Sequence, residues 1–482
     1  MQVCSRAVSR LISGWSGTAA AQSIPMKTTL LRRLLFTGAW CALATSSLSA
    51  QIVEFTATIN AAQETPASTS PATGSALLVY DLAANTFELT VTIFNLANPI
   101  TASHVHEGAA GLAGPVVTGL GAEAVYVRDG NTVRGTFSGV AHGGTPLTLL
   151  QNGAYLNFHS AAFPGGEVRG QLIARPKRLT AVLRGDQEVP ATTSTAYGAA
   201  LITYNPGTNK ISTRLNIYNF THTLTASHYH EAAVGASGGV VHNLGGAAVY
   251  AQNGTFYGAV FSEQTYSGDP IKLLQGGAYL NVHSNVNPPG EIRGQVWVSD
   301  ELDVPRLINL SSRGWVGTGD AVMISGFTIE GDEPVRVLIT AKGPSLTGAG
   351  VDGALANPHL SLHDSAGRAL VTNDDFATAF SIADMPSTNF AVTVAEESAL
   401  LLVLPPGGYT SVVSGVGGTT GVAITEVYEV RAPLSGSVIV RDERRRRRSL
   451  VPDARVPAQI AAAKAPIEFC VATPLALAAV TR

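Results

Sequence analysis

Apolar and polar residues alternate along most of this chain in short runs that Gly, Asn and Pro interrupt. The segment 87–93, Phe-Glu-Leu-Thr-Val-Thr-Ile, is a typical run. Because successive side chains of a strand point to opposite faces, this alternation predicts strands with one buried face. No amphipathic helix of useful length is visible between 51 and 298. The pattern therefore predicts an all-β protein built from antiparallel β-sandwich or barrel domains.

The strand pattern occurs twice, and each anchor in the first copy lies 124 residues before its counterpart, as His104 lies before His228. Three segments mark the copies: Ala-Ser-His-Val-His-Glu at 102–107 and Ala-Ser-His-Tyr-His-Glu at 226–231; Tyr-Leu-Asn-Phe-His at 155–159 and Tyr-Leu-Asn-Val-His at 279–283; Gly-Glu-Val-Arg-Gly-Gln at 166–171 and Gly-Glu-Ile-Arg-Gly-Gln at 290–295. This spacing predicts two copies of one domain, at 51–175 and 176–299.

A third set of strand-like runs predicts a further β-sandwich module at 303–431. The character of the chain then changes, with five consecutive arginines at Arg444–Arg448 followed by an Ala/Pro/Val-rich stretch without alternation. Like-charge runs of this kind are usually solvated, so residues 432–482 are predicted to form a disordered basic tail. The expected fold is three consecutive antiparallel β domains followed by that tail.

Residues 26–50 have the features of a secretory signal peptide, and residues 1–25 are interpreted as an upstream extension. Arg32 and Arg33 precede an apolar run from Leu34 to Leu43, which small residues close at 46–50. The alternative is a membrane anchor at 34–45, although the run is short for a transmembrane helix. An exported protein, secreted or held at the cell envelope and without a membrane span in its mature form, is therefore expected.

Charge, cysteine content and sequence motifs exclude several classes of function for this chain. Charged residues make up 13% of the chain and its net charge is −3, so no general attraction to nucleic acid is expected. None of the three cysteines lies between 42 and 469, which excludes a disulfide framework for the body of the protein. The chain also lacks an HExxH motif and a GxxxxGK phosphate-binding loop, so no enzyme activity is predicted.

Four motifs in order carry a resemblance to a known family. They are HxHE, Gly-Pro-Val-Val at 114–117, YxNxH and GGExRGQ, and together they are similar to the CHRD (chordin-type) domain of secreted proteins. The second copy departs from the pattern, because Gly238-Gly-Val-Val241 replaces GPVV and Pro289-Gly290 replaces the paired glycines. The resemblance covers nearly all of both copies and implies an extracellular β-domain.

Strand alternation places His104 and His106 on one face, and it places His159 on the polar side of its own strand, away from Leu156 and Phe158. Three neutral imidazoles suit copper or zinc. The predicted metal ligands are His104, His106 and His159, with His228, His230 and His283 in the second copy. The other interpretation is that these histidines hydrogen-bond a covering loop.

The HxH strand followed by a later histidine also resembles Cu/Zn superoxide dismutase, which implies a duplicated superoxide-dismutase-like β unit. The chain departs from that family because it has no obvious bridging histidine, no His/Asp-rich zinc loop and no matching disulfide. Dismutase activity is therefore not expected, whereas a mononuclear three-histidine site stays open.

Two further sets of residues are candidates. Arg169 is expected to pair with Glu107, and Arg293 with Glu231, as ion pairs that clamp a loop to the barrel; anion or substrate binding is the alternative. In the third module the runs from His363 to Gly367 and from Asn373 to Asp375, with the later turn before Tyr409, resemble bacterial pre-peptidase C-terminal domains. Oxygen ligands for calcium could come from Asp364, Asn373, Asp374 and Asp375, which are otherwise ordinary turn formers.

Two functions remain open at this point. The first is a non-enzymatic binding or structural protein for an extracellular protein or polysaccharide. The alternative is a copper- or zinc-binding protein with one three-histidine site per repeat, with redox chemistry as an option. Convergence of the histidines in threes separates the two.

Overall fold

The computed structural model describes residues 51–299, 309–379, 392 and 394–430, and the backbone of Phe469–Cys470. The predicted upstream extension at 1–25, the signal peptide at 26–50 and the basic run at 444–448 lie outside the described residues. Within the described part of the chain, no helix has the length and apolar character needed to cross a membrane.

The first repeat folds into one curled antiparallel sheet of ten strands. The strands are β1 (Ile52–Asn60), β2 (Thr73–Asp81), β3 (Thr86–Phe94), β4 (Ile100–Glu107), β5 (Val116–Gly121), β6 (Val127–Asp129), β7 (Thr132–Ala141), β8 (Ala154–Ser160), β9 (Val168–Gln171) and β10 (Ile173–Ala174), with one short helix, α1 (Pro146–Leu150). Their order is β5-β4-β8-β9-β1-β2-β3-β7-β6, with β10 beside β1. The order brings β4, β8 and β9 side by side.

The second repeat forms the same sheet in the same order. Its elements are β11 (Lys177–Arg184), β12 (Tyr197–Asn205), β13 (Lys210–Tyr218), β14 (Leu224–Glu231), β15 (Val240–Gly245), β16 (Ala251–Asn253), β17 (Phe256–Thr265), α2 (Pro270–Leu274), β18 (Ala278–Ser284), β19 (Ile292–Gln295) and β20 (Trp297–Val298). Short 3-10 turns occur at Ala61–Gln63, Glu123–Val125, Gly185–Gln187, Ala247–Val249, Phe376–Thr378 and Val416–Gly418.

Local sequence explains how these strands are connected and what they bury. The turn between β2 and β3 ends at Asn85, whose φ of 53° lies in the left-handed region that Asn tolerates. The Tyr80 hydroxyl donates to Asn85 Oδ1 at 2.7 Å and fixes that turn. The alternating apolar residues, among them Phe55, Leu89 and Val91, form a core that is almost completely buried. The all-β prediction is confirmed.

The C-terminal module contains two smaller antiparallel sheets. Its elements are β21 (Asn309–Val316), β22 (Met323–Ile329), β23 (Val335–Lys342), α3 (Pro344–Gly348), β24 (Pro358–Asp364), β25 (Ala369–Asn373), β26 (Ser398–Leu404), β27 (Gly407–Gly415), β28 (Gly421–Glu429) and β29 (Phe469–Cys470). The sheets run β21-β28-β23-β26 and β25-β24-β27-β22-β29. Strand β29 belongs to the region predicted as a disordered tail, and its backbone pairs with β22; the rest of that region lies outside the described residues.

A short joint connects the two repeats. Only Arg175 and Pro176 separate β10 from β11. The Arg175 N–H donates to Glu54 O at 2.8 Å, and its guanidinium lies 3.0 Å from the Glu54 carboxylate. The joint is therefore tied to the first sheet at both the backbone and the side chain of Arg175.

The second repeat and the C-terminal module meet along β26, the edge strand of the first of the two smaller sheets. The Tyr218 hydroxyl donates to Val403 O at 2.7 Å, and Asn216 Oδ1 accepts from Val403 N at 2.6 Å. Tyr218 and Asn216 are completely buried. Side chains thus satisfy the unpaired backbone of an edge strand, which is one way in which proteins protect such edges. The equivalent positions in the first repeat hold Phe94 and Thr92, and Phe94 is 47% exposed.

Replacing Tyr218 by Ala is expected to loosen this contact by about 3–5 kcal/mol, because a buried aromatic side chain and its hydrogen bond are lost together. Hydrogen exchange measured by mass spectrometry should show faster exchange in Ser398–Leu404. The matched control is Phe94→Ala at the equivalent exposed position, which should leave that strand unchanged. Equal exchange in the Tyr218→Ala variant and the wild type would contradict the contact.

Candidate metal centre

The six predicted histidines converge in two groups of three. Pairing of β4 with β8 sets Ala102 opposite His159 and His104 opposite Asn157, so His159 reaches the same face as the HxH pair. One nitrogen from each of His104, His106 and His159 lies within 4.8 Å of the other two. The second repeat repeats this arrangement with His228, His230 and His283. On the opposite face, Val105, Leu156 and Phe158 are fully buried, as the alternation predicts.

Hydrogen bonds to backbone carbonyls fix which nitrogen of His106 and of His159 is free. His106 Nδ1 lies 2.9 Å from Gly114 O, and His159 Nδ1 lies 3.0 Å from Pro164 O. A carbonyl only accepts, so both Nδ1 atoms carry the proton and both Nε2 atoms keep a lone pair. Those Nε2 atoms and His104 Nδ1 are buried and have no hydrogen-bond partner within the described residues. The first triad therefore has three buried nitrogens without a partner, and those of His106 and His159 carry a lone pair.

The second triad has the same carbonyl contacts. His230 Nδ1 lies 2.9 Å from Gly238 O, and His283 Nδ1 lies 2.9 Å from Pro288 O. His230 Nε2 is buried without a partner in the described part of the chain, while His228 Nδ1 and His283 Nε2 are 3.2 Å apart. The two triads differ here, because His283 Nε2 accepts a hydrogen bond from His228 Nδ1, whereas the three matching nitrogens of the first repeat have no partner among the described residues.

Burial favours the neutral form of His104 and His106, and of all three histidines in the second repeat. Burial lowers the pKa of His104, and the charges of His159 and His106 lower it further. Burial also lowers the pKa of His106, despite its hydrogen bond to Gly114. In the second repeat, burial and then the neighbouring histidines lower the pKa of His228 to about 4. Neutral imidazole is the form in which histidine can ligate a metal.

The loop from 108 to 114 is held by residues on the same polar face as the triad. Tyr155 stacks on His106 with ring centroids 4.8 Å apart, and the Arg169 guanidinium lies 3.4 Å from the centroid of the Tyr155 ring. The Arg169 side chain donates to Leu112 O at 2.8 Å and to Ala109 O at 2.9 Å. Gly114 N donates to the Tyr155 hydroxyl at 3.1 Å. The loop from 108 to 114 is therefore pinned by its backbone.

These contacts correct the predicted ion pairs. Arg169 and Arg293 bind loop carbonyls and a neighbouring glutamine, and neither forms an ion pair with Glu107 or Glu231 among the described residues. Glu107 instead accepts from the Thr145 N–H at the start of α1. Glu231 lies 3.1 Å from Lys272 Nζ. The physical reason is that β8 separates β4 from β9, so the guanidinium lies over Tyr155 and beneath the loop. The loop is therefore held as predicted, but through hydrogen bonds from the arginine to its backbone carbonyl groups and not through an ion pair.

A buried carboxyl group, which is not among the residues predicted from the sequence, lies beside this arginine. Glu64 follows the turn after β1, is 7% exposed and has no partner for Oε1 within the described structure. Its Oε2 lies 3.5 Å from Asn157 Nδ2. Burial raises the pKa of Glu64 to about 7, although Arg169 and Asn157 oppose the shift. Glu188 in the second repeat has the same surroundings and a pKa of about 7 for the same reason.

The glycine that opens each GExRGQ segment is explained by this carboxyl group. Gly166 has φ of 136°, and a Cβ there would lie 2.5 Å from Glu64 Oε2. Gly290 is equivalent, with a Cβ position 2.5 Å from Glu188 Oε1. Glu64 and Glu188 are both part of a QExP segment repeated at the 124-residue offset, and this recurrence was the sequence signal that could have identified them.

The predicted calcium ligands do not form one site. Antiparallel pairing sets Leu360 opposite Asn373, so Asp364 and Asn373 lie at opposite ends of the β24–β25 hairpin. The Asp364 carboxylate accepts from Ala366 N and Arg368 N at the turn and pairs with the Arg368 side chain at 2.8 Å. Asn373 Oδ1 accepts from Ala399 N. Asp364 therefore acts as a turn former, and the same hairpin geometry separates it from Asp374 and Asp375.

Three other histidines have local contacts that differ between the repeats. His222 Nδ1 lies 2.9 Å from Glu291 Oε2, and His242 Nε2 lies 3.0 Å from Gln264 Oε1. His142 packs edge-on against Tyr80 and Phe87. None of them is part of either triad.

Fold and site together define a tandem all-β protein that has one histidine triad per repeat. The CHRD domain model matches residues 55–172 and 179–296, so the chain contains two CHRD domains in tandem. No protein with a curated description matches the chain. The family match does not extend to the C-terminal module, whose similarity to pre-peptidase C-terminal domains stays a hypothesis.

Proposed function

We propose that each CHRD domain binds one copper or zinc ion through its histidine triad, and that the chain serves as an exported binding protein. The observation that supports this most directly is the set of three buried, unpartnered nitrogens in the first repeat, on His104, His106 and His159. A histidine that only held a loop would need one nitrogen, the Nδ1 that bonds the carbonyl. The free nitrogens facing one another are the part that metal binding explains.

The donor set suits these metals. Zinc and copper both accept neutral imidazole, and three protein ligands leave one coordination position for water or another group. The carbonyl groups of Gly114 and Pro164 would act as outer partners that fix the ring orientation, a common feature of metal-bound histidine. The ion itself would supply a fixed positive charge and an open ligand position.

The proposal for the whole chain is a non-enzymatic role outside the cytoplasm. The duplicated domain favours a protein that presents two equivalent sites to an extracellular protein or polysaccharide, and no nucleic-acid partner is proposed. The signal-peptide features of residues 26–50 support export, either to the medium or to the cell envelope. Redox turnover at the metal is not proposed.

Metal analysis after exposure to copper or zinc provides the test. Wild-type protein without a His-tag should bind one ion for each of its two triads. His104→Ala with His106→Ala should retain one ion, and adding His228→Ala with His230→Ala should leave none, because each change removes two of three ligands. The matched control changes His359 and His363, which lie in the C-terminal module, and should keep both ions.

Two outcomes would contradict this proposal. Wild-type protein that takes up neither metal would leave the histidines as loop-holding residues. Unchanged metal content in the four-histidine variant would place the ions elsewhere in the chain. Circular dichroism of each variant separates loss of ligands from loss of the fold.

A further inference from the structure

A polar cleft of about 440 Å³ lies between the second CHRD domain and the C-terminal module. One wall is formed by the end of β11 and the segment 192–197, and the other by the turns at 364–368 and 405–409. The contacts of Val403 with Tyr218 and Asn216 hold the two domains together beside it. Its size lies within the range of small-molecule sites, which often occur between domains.

We infer that this cleft binds an uncharged oligosaccharide. Its ionic lining residues are Arg184, Asp186, Asp364 and Arg368, so positive and negative charges are balanced. Asp364 and Arg368 pair with each other at 2.8 Å. Arg184 and Asp186 have no ion-pair partner within the described structure and are exposed, one as a donor and the other as an acceptor.

Hydroxyl groups complete the chemistry of the cleft. The Tyr197 hydroxyl is buried and has no hydrogen-bond partner among the described residues. Its ring stacks on Tyr218 with centroids 5.3 Å apart, which fixes the direction of the hydroxyl. Burial raises the pKa of Tyr197, so the group stays protonated and can both donate and accept. Sugar hydroxyls have this same dual capacity.

The balance of charge selects the ligand class. A carboxylated or sulfated sugar would bring negative charge beside Asp186, and a cationic ligand would bring positive charge beside Arg184. A neutral sugar offers hydroxyl oxygens to the guanidinium and hydroxyl protons to the carboxylate without a like-charge contact. The mixed donor and acceptor set therefore favours a neutral sugar over either charged ligand.

The first CHRD domain supplies a natural comparison. At the positions equivalent to Arg184, Asp186 and Tyr197 it has Asn60, Ala62 and Thr73. Asn60 caps the 3-10 turn that follows β1, and Arg184 occupies the same position before the equivalent turn after β11. The fold therefore accepts Asn at this position. Transferring residues from the first domain into the second should thus remove the ligand groups while preserving the backbone.

The experiment uses the full chain on an array of neutral and acidic oligosaccharides, followed by calorimetry with the neutral glycan retained best. Arg184→Asn combined with Asp186→Ala should weaken binding at least about tenfold, which corresponds to the loss of about 1.4 kcal/mol. Tyr197→Phe, which keeps the ring and removes the hydroxyl, should weaken it severalfold. Arg134→Asn changes an exposed arginine of the first domain and should bind as the wild type does.

Retention of acidic glycans alone would overturn the inference, and so would the absence of any retained glycan. Unchanged affinity in the Arg184→Asn, Asp186→Ala variant would also overturn it. The histidine variants described above leave this cleft intact, so they should bind the glycan normally. The cleft and the metal centres are thereby tested separately.

Discussion

Replacing Arg169 by Ala is expected to lower the free energy of unfolding of the first CHRD domain by about 3–5 kcal/mol, because several hydrogen bonds to a charged group are lost together. Arg169 is 1% exposed, and its guanidinium serves Ala109 O, Leu112 O and Gln171 Oε1. Truncation would leave the buried Gln171 Oε1 and the two part-buried loop carbonyls without their donor, and it would remove the cation above the Tyr155 ring. Lysine should not rescue the domain, because an ammonium group cannot reproduce the planar fork.

Hydrogen exchange in the full chain can measure this loss domain by domain. Amides of β8 should exchange faster in the Arg169→Ala variant, while amides of β18 in the second domain serve as an internal reference. Arg293→Ala should give the reverse pattern. Arg134→Ala, at an exposed position of the same domain, is the matched control. An Arg169→Ala variant as stable as the wild type would show that the loop does not depend on the guanidinium.

The first CHRD domain is also expected to lose about 2–3 kcal/mol of stability as the pH rises from about 4.5 to above 7. The pKa of Glu64 is raised from 4.5 to about 7 in the folded domain. The protonated form is therefore favoured by folding, and its contribution is full below 4.5 and is lost as the pH rises through 7. Glu64→Gln keeps the shape without the charge and should be the more stable protein at pH 8.

Measuring stability at two pH values separates the effect of Glu64 ionisation from any effect of the substitution on packing. Wild type and Glu64→Gln should differ by about 1 kcal/mol or less near pH 5 and by the larger amount at pH 8. The measurement is hydrogen exchange of β1 and β8 amides, corrected for the intrinsic rate at each pH. Glu88→Gln, an exposed change in the same domain, should match the wild type throughout. A Glu64→Gln variant less stable than the wild type at pH 8 would instead identify Glu64 as the ionised partner of Arg169.

The sequence contained enough to predict the strands and the shared face of the histidines. Alternation is a local property, so Leu156 and Phe158 could be assigned to the core and His159 to the polar side without a structure. The constant offset then predicted that both repeats would have the same arrangement. The choice of free nitrogen could not be predicted, because it depends on the carbonyls of Gly114 and Pro164, and every residue has a carbonyl.

The partner of Arg169 was missed for the same reason. Glu107, at the end of the HxHE segment, is the carboxylate that the sequence suggests as the partner of Arg169. Backbone carbonyl acceptors cannot be recognised in a sequence, because every residue has one. The strand order also had to be known, since β8 lies between the two predicted partners. Asp364 is a predicted calcium ligand because of its residue type, whereas in the structure its carboxylate accepts a hydrogen bond from Ala366 N within the turn that follows β24. Oxygen ligands and turn formers are the same residue types.

The domain contact could have been found by comparing the copies with each other. Where the first repeat has Thr92 and Phe94, the second has Asn216 and Tyr218, both of which are completely buried against the C-terminal module. Differences between otherwise equivalent strands identify the surfaces that have acquired a separate role. The same reasoning applies to Arg184 and Asp186 in the cleft.

The joint between the repeats limits what a partner of this protein can look like. Arg175 is fastened to Glu54, and the φ angle of Pro176 is fixed by its ring, so few torsions remain between the sheets. The distance between the two histidine triads should therefore stay constant. A partner that presents two groups at that separation gains from engaging both, whereas one with any other spacing engages a single domain.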